Sequence, residues 1–213
     1  MNTMKINYQK ELEKTLEEME KAGKVPSLLL HSCCAPCSSY VLEYLSSFFN
    51  ITILFYNPNI GEGKEYEKRK KELLRMIDAM PFRYPVSYMD CEYDPREFYQ
   101  SVPDRAKDRE GGESCFQCYR LRLEKAAQEA HKGGFDYFTT TLSISPLKNA
   151  QKLNTIGREL SETYQVPYLY SDFKKKNGYK RSIELSGEYG LYRQNYCGCE
   201  FSRKEAEARE QQR

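Results

Sequence analysis

The stretch "LLLHSCCAPCS", residues 28–38, decides the fold. An unbroken apolar run from Ser27 to Leu30 reads as a short strand buried on both faces. Pro36 follows where a helix can start, because its missing N–H costs nothing in the first turn. The helix it opens carries Val41, Leu42, Leu45 and Phe48 on its inner side. A strand running straight into a helix is the first half of a crossover unit. Between the two stand Cys33, Cys34 and Cys37, three thiols within five positions.

Working outward, the same alternation continues. Tyr8, Leu12, Leu16 and Met19 recur at helical spacing, and Gly23 and Pro26 end that helix. Further strands are expected at 51–56, 82–89, 136–141 and 166–171, with Pro85 marking the third as an edge strand or strand end. Helices are expected over 64–79, briefly after Asp94-Pro95, over 114–131, from Ser145-Pro146 to about 164, over 179–189 and at the C-terminus. The segment 103–113 reads as an exposed, mobile loop. The expected fold is α/β, a mostly parallel sheet with helices on both faces. The N-terminal helix occupies 1–26, and a single α/β domain with a C-terminal cysteine segment and helix occupies 27–213. In such sheets ligands bind beyond the carboxyl ends of the strands. The loops holding the first cysteines, "TTLSISPLKN" and "SDFKKKNGYKRS" are therefore expected to share one edge.

Composition bounds the function. The chain has 213 residues, eight cysteines and a net charge of +2. No apolar run approaches the roughly 18–20 residues of a membrane span, and the N-terminus has no signal-peptide core. A cytoplasmic setting, with no membrane partner, is the expectation. Thiols stay reduced there, so the cysteines read as metal ligands or catalytic groups before structural disulfides. A charge of +2 does not by itself imply nucleic acid. Basic residues are nonetheless bunched at 68–71, 174–176 and 180–181, and such runs are usually solvated faces. Eighteen tyrosines, with no tryptophan, could stack on bases or simply fill the core.

Seven cysteines form three clusters: 33, 34 and 37; 115 and 118; 197 and 199. Cys115 and Cys118 lie three apart at a helix start, so both project from one face toward a dipole that favours thiolates. Four thiolates satisfy one tetrahedral zinc or one 4Fe–4S cluster, and seven exceed that need. A thioredoxin-like thiol oxidoreductase explains Cys34-Ala-Pro-Cys37 but leaves four cysteines idle. A zinc-stabilised nucleic-acid-binding module explains four cysteines and the lysine runs. A metal-dependent redox enzyme accommodates all three clusters and is the preferred reading. Cys91 stands outside them as a passive thiol.

These segments closely resemble the QueH-type epoxyqueuosine reductases. The likeness rests on "LLLHSCCAPCS", "FYNPNI" followed by "EYEKRKKEL", "CFQCYRLRLEKAA", "DYFTTTLSISPLKN", "SDFKKKNGYKRSIELS" and "LYRQNYCGCEFS", which cover most of 27–202. The resemblance implies a Rossmann-like, adenine-nucleotide-hydrolase-like fold whose phosphate loop has been replaced by cysteines. It also implies reduction of epoxyqueuosine to queuosine at the tRNA wobble position, the last step of queuosine biosynthesis. An unidentified electron donor would supply the reductant. The implied cofactors are a 4Fe–4S cluster and an additional iron ion. Cys33, Cys34, Cys115 and Cys118 are the expected cluster ligands. Cys197 and Cys199 are a redox-active pair or thiolates for the second iron. Cys37 and Asp172 are further catalytic candidates, the latter as iron ligand or proton donor. Ser143 and Ser145 are candidates to line the pocket, and Lys148, Lys174, Lys175, Arg181 and Arg193 to contact tRNA phosphates. His31 reads as a hydrogen-bonded structural residue.

Overall fold

The computed structural model describes residues 6–102 and 110–212. Most of the loop expected over 103–113 lies outside them. Helix α1 (Tyr8–Lys21) precedes strand β1 (Ser27–His31), α2 (Ala35–Leu45), β2 (Asn50–Leu54), α3 (Gly63–Ala79) and β3 (Val86–Met89). Then come α4 (Arg96–Ser101), α5 (Glu113–Gly133), β4 (Tyr137–Thr140), a 3-10 turn (Thr141–Ile144), α6 (Ala150–Tyr164), α7 (Gly178–Glu188) and α8 (Glu200–Gln211). All four strands are parallel, in the order β3-β2-β1-β4. β3 is an edge strand, as Pro85 suggested. Among the described residues no helix is long and apolar enough to cross a membrane.

Alternation along the strands divides the core in two. Leu28, Leu30, Ile51 and Ile53 point to the side covered by α2, α3 and α7, where α1 adds Leu12, Leu16 and Met19. Leu29, Leu54 and Phe138 point to the side covered by α5 and α6, with Leu123, Ala127 and Leu153. Burying each such leucine stabilises the fold by about 1.5–3 kcal/mol. The chain steps outward from β1 to β2 to β3, then returns to place β4 on the other side of β1. That reversal leaves a crevice beyond the ends of β1 and β4, the place where open sheets bind ligands.

The strand expected at 166–171 is reduced to one bridge, Tyr168 to Phe138. Pro167 has no N–H to donate, though its carbonyl accepts from Phe138 at 3.1 Å and Leu169 N–H donates to Phe138 at 2.9 Å. The ladder stops there because Ser171 N–H turns to Asn154 Oδ1 at 2.9 Å. The helix before it, α6, also starts later than expected, since Asn149, not Ser145, caps it by accepting from Lys152 N–H.

Helices α2 and α7 approach closely over Gly178. A Cβ there would lie 2.0 Å from the Phe173 carbonyl oxygen and 2.4 Å from the Tyr40 ring. Gly178→Ala is expected to destabilise the protein by about 1–3 kcal/mol, as over-packing does. A lowered urea midpoint at unchanged slope is the measurable sign.

Candidate active site

Each of the three cysteine clusters sits at a helix N-terminus. Cys34 is the N-cap of α2, and Cys33 and Cys37 flank it. The three Sγ atoms lie within 4.8 Å of one another, with Cys33 and Cys34 at 3.8 Å. Their mutual hydrogen bonds concentrate negative charge on one sulfur. Contacts from Cys33 and Cys37, with help from Arg69, hold Cys34 well below the usual thiol range. Cys33 is pushed up to about 11 by its bond to Cys34, and Cys37 is raised by Cys33 and Cys34.

Cys115 is in the first turn of α5, where Gly111 N–H donates to its sulfur at 3.3 Å, and Cys118 follows one turn on. Burial pushes Cys118 up to about 11, and Arg122 works against that. Cys199 caps α8, its sulfur accepting from Ser202 N–H at 3.4 Å. Gly198 between Cys197 and Cys199 has φ +133°, and a Cβ there would meet Ile60 at 2.8 Å. Only glycine keeps that backbone relaxed and that close.

Two cavities connect these groups. The larger, about 380 Å³, opens on Cys33, Cys34, Cys37 and Cys197 and is bounded by Ser145 and Arg193. The smaller is walled by Cys115, Cys118, Cys197 and Cys199. Cys197, Glu110 and Lys148 line both. The expected partners Cys33 and Cys115 pack in the same core cluster. Cys118 and Cys199 share another, and Cys37 completes the triad with Cys33 and Cys34.

The remaining expected residues separate into two groups. Ser145 and Arg193 are at the large pocket, with Arg193 Nη1 donating to Ser186 Oγ at 3.0 Å. Ser143 is buried against Ser171 and accepts from Phe173 N–H, so it holds a loop in place. Asp172 is ion-paired to Lys174 at 2.7 Å and lines neither cavity. Lys175 is exposed in the same turn. Arg181 is held by Glu43 and Glu188. His31 is buried, Nε2 donating to the Tyr56 carbonyl and Nδ1 accepting from Thr140 Oγ1. Burial first, then Arg122, lowers it to about 4, so the ring is neutral and structural. Cys91 lines neither cavity.

Sequence reasoning missed the cations. Arg69 and Arg122 are each only 1% exposed. Arg69 pairs with Glu65 at 2.7 Å and donates to the Cys197 carbonyl at 3.0 Å. Arg122 reaches the Cys118 carbonyl at 3.3 Å and Asn57 at 3.5 Å, with no carboxylate partner among the described residues. The Nη2 of each guanidinium is buried with no acceptor among the described residues. Burial opposes the charge on Arg122, and Cys118, Cys197 and Cys33 favour it once they are ionised. Lys148, far from reaching out to a phosphate, is buried against Glu110 at 2.7 Å. The Arg122 signal was present: it lies four and seven residues after Cys118 and Cys115, on their face of the helix. Soft thiol donors exceeding one tetrahedral set, beside unfilled buried N–H donors, fit an anionic metal–thiolate group.

A doubly wound parallel sheet with seven thiols at the N-termini of three helices, beneath a substrate-sized pocket, defines an α/β oxidoreductase. The model of the family "Epoxyqueuosine reductase QueH" matches residues 28–205, and the chain belongs to that family. Proteins named epoxyqueuosine reductase QueH include one from Staphylococcus epidermidis, 43% identical over 95% of this chain and 87% of the relative. Another, from Streptococcus pyogenes, is 42% identical over 94% and 79%. A third, from Thermotoga maritima, is 37% identical over 83% and 90%.

Arg122→Met removes a buried charge that the metal-free protein must otherwise carry. Stability of the metal-free protein is expected to hold or rise. Co²⁺ affinity, read from sulfur-to-cobalt absorption, is expected to fall about tenfold or more, since thiolate ligands lose a neighbouring cation. A destabilised variant with unchanged Co²⁺ affinity would contradict this role.

Proposed function

We propose that this chain reduces epoxyqueuosine to queuosine at the wobble position of tRNA, as a cytoplasmic enzyme fed by a separate electron donor. The observation that carries the reading is a pocket of ligand size whose floor is made of thiols, in a chain of the QueH family. The reaction takes two electrons and two protons, converts the epoxide to an alkene and releases the oxygen as water. Zinc supplies no electrons, so redox chemistry favours iron over the zinc-module alternative.

In this reading Cys33, Cys34, Cys115 and Cys118 hold a 4Fe–4S cluster, and Cys197 with Cys199 forms a redox pair or ligates a second iron. Support comes from Arg122, which lines the smaller cavity together with Cys115, Cys118, Cys197 and Cys199, so two of the clusters meet at one guanidinium. A bound cluster would supply single electrons, and a second iron a Lewis acid. The chain's own residues do the rest. Arg69 and Arg122 stabilise negative charge on the sulfurs. Lys148 is kept protonated: burial pulls it down, but Cys197 and Glu110 hold it well above its ordinary value. It therefore brings a fixed positive charge to the pocket wall. In this reading Arg193 and Lys175 contact the tRNA backbone, while Arg181 and Lys174 already have carboxylate partners.

The direct test is anaerobic incubation of reduced enzyme with epoxyqueuosine-containing tRNA, followed by nucleoside mass spectrometry. Conversion to queuosine is expected, and active protein holding stoichiometric zinc without iron would refute the reading. A second measurement concerns the ligands. Cys115→Ser is expected to lose iron and activity together, and Cys91→Ser to keep both. Cys197→Ser and Cys199→Ser are expected to lose turnover while keeping most of the cluster's absorption. If either empties the protein of iron as Cys115→Ser does, the cluster draws on the 197–199 pair instead.

A further inference from the structure

Between the two cavities stands an ion pair with an unfilled valence. Glu110 and Lys148 have side chains only 6% and 5% exposed, and Lys148 Nζ donates to Glu110 Oε1 at 2.7 Å. The Glu110 backbone is tied by its N–H to the Glu205 carboxylate at 3.1 Å. Its other oxygen, Oε2, is buried with no partner among the described residues. A buried carboxylate oxygen without a donor costs more than a neutral one, so its persistence asks for an explanation. The same pocket wall contributes a second unfilled acceptor, Gln194 Oε1. Two vacant acceptors call for a ligand that donates N–H bonds, and a carboxylate favours one that is also positive.

Epoxyqueuosine has such a group. A secondary amine links its 7-deazaguanine base to the cyclopentane ring, on the carbon next to the epoxide. Protonated, it carries positive charge and two N–H donors. An epoxide brought to the thiols necessarily brings this ammonium with it, to the wall where Glu110 lines both cavities. We propose that Glu110 is a specificity residue that accepts a hydrogen bond from the substrate's ammonium, with Gln194 as the second acceptor. The pair then selects modified from unmodified wobble guanosine, and Lys148 fixes the carboxylate in place. This inference rests on the function proposed above.

The test compares the affinity of anaerobic, unreduced, metal-loaded protein for tRNA carrying epoxyqueuosine and for the same tRNA carrying guanosine. The wild-type protein is expected to prefer the modified tRNA. Glu110→Gln should reduce that preference about tenfold or more, with affinity for the guanosine tRNA unchanged. Glu110→Asp, which keeps the charge, should restore part of it. The Glu110→Gln, Lys148→Met double variant removes both charges of the buried pair at once and should lose the preference as well. An arm on the wild-type protein needs no variant to fold. Substrate tRNA with its amine N-methylated, still cationic but with one N–H left for Glu110, should keep part of the preference, and N-acetylated substrate, now neutral, should lose it. Full preference in Glu110→Gln, or for the acetylated tRNA, overturns the role of Glu110 and leaves the proposed function standing. A wild-type protein with no preference for the modified tRNA overturns both.

Discussion

The burial of Arg122 is the constraint on which the site depends. A guanidinium inside a protein, with no carboxylate beside it, costs several kcal/mol unless another anion compensates. Arg69 and Lys148 join it within the same region, and among the described residues only Glu65 and Glu110 pair with this group, which leaves one cation over among them. The groups able to balance it are the thiols of Cys33, Cys118 and Cys197, and a thiol balances charge only as a thiolate or a metal ligand. The three helix N-termini at Cys34, Cys115 and Cys199 push the same way, because their free N–H groups favour negative sulfur. The interior is therefore electrostatically arranged for a thiolate-bound anionic group.

The fold places these charges by topology. β1 and β4 end side by side because the chain reverses its order in the sheet, and Cys33 N–H bonds Thr141 Oγ1 across that junction at 3.3 Å. α5 crosses back from β3 and presents Cys115, Cys118 and Arg122 along one face. The C-terminal segment closes over the opening, tied by the Cys197 carbonyl to Arg69 and by Gly198 against Ile60. Residues far apart in sequence become one centre, with Glu110 and Lys148 as the partition between its two cavities.

Much of this was legible in the chain. The Leu28–Leu30 run, Pro36 at a helix start and the Cys115/Cys118 spacing specify local structure through short-range rules, so strand, helix and thiolate-favouring termini could all be read directly. The charged interior was not. Arg69 sits in a four-residue basic run whose neighbours are ordinary surface contacts: Lys68 lies over the Tyr192 ring and Lys70 pairs with Asp90. Only its register marks the buried member, since Arg69 shares the helix face of Tyr66, Leu73 and Met76. Lys148 likewise resembles a phosphate contact until the fold brings Glu110, 38 residues away, against it. Asp172 and Arg181 looked available because their partners, Lys174 and Glu43, become visible only in three dimensions. The strand after α6 failed for a reason that the sequence did contain, since Pro167 weakens any ladder that it joins.

Anomalous diffraction at the iron edge, from crystals of anaerobically prepared protein, tests the central claim most directly. The account predicts iron density bonded to the sulfurs of Cys33, Cys34, Cys115 and Cys118, next to the unfilled Nη2 of Arg122. Further iron, if held, should lie at Cys197 and Cys199. Crystals of active protein with no iron in this centre, or with a carboxylate or inorganic anion neutralising Arg122 in place of thiolate-bound metal, would contradict it.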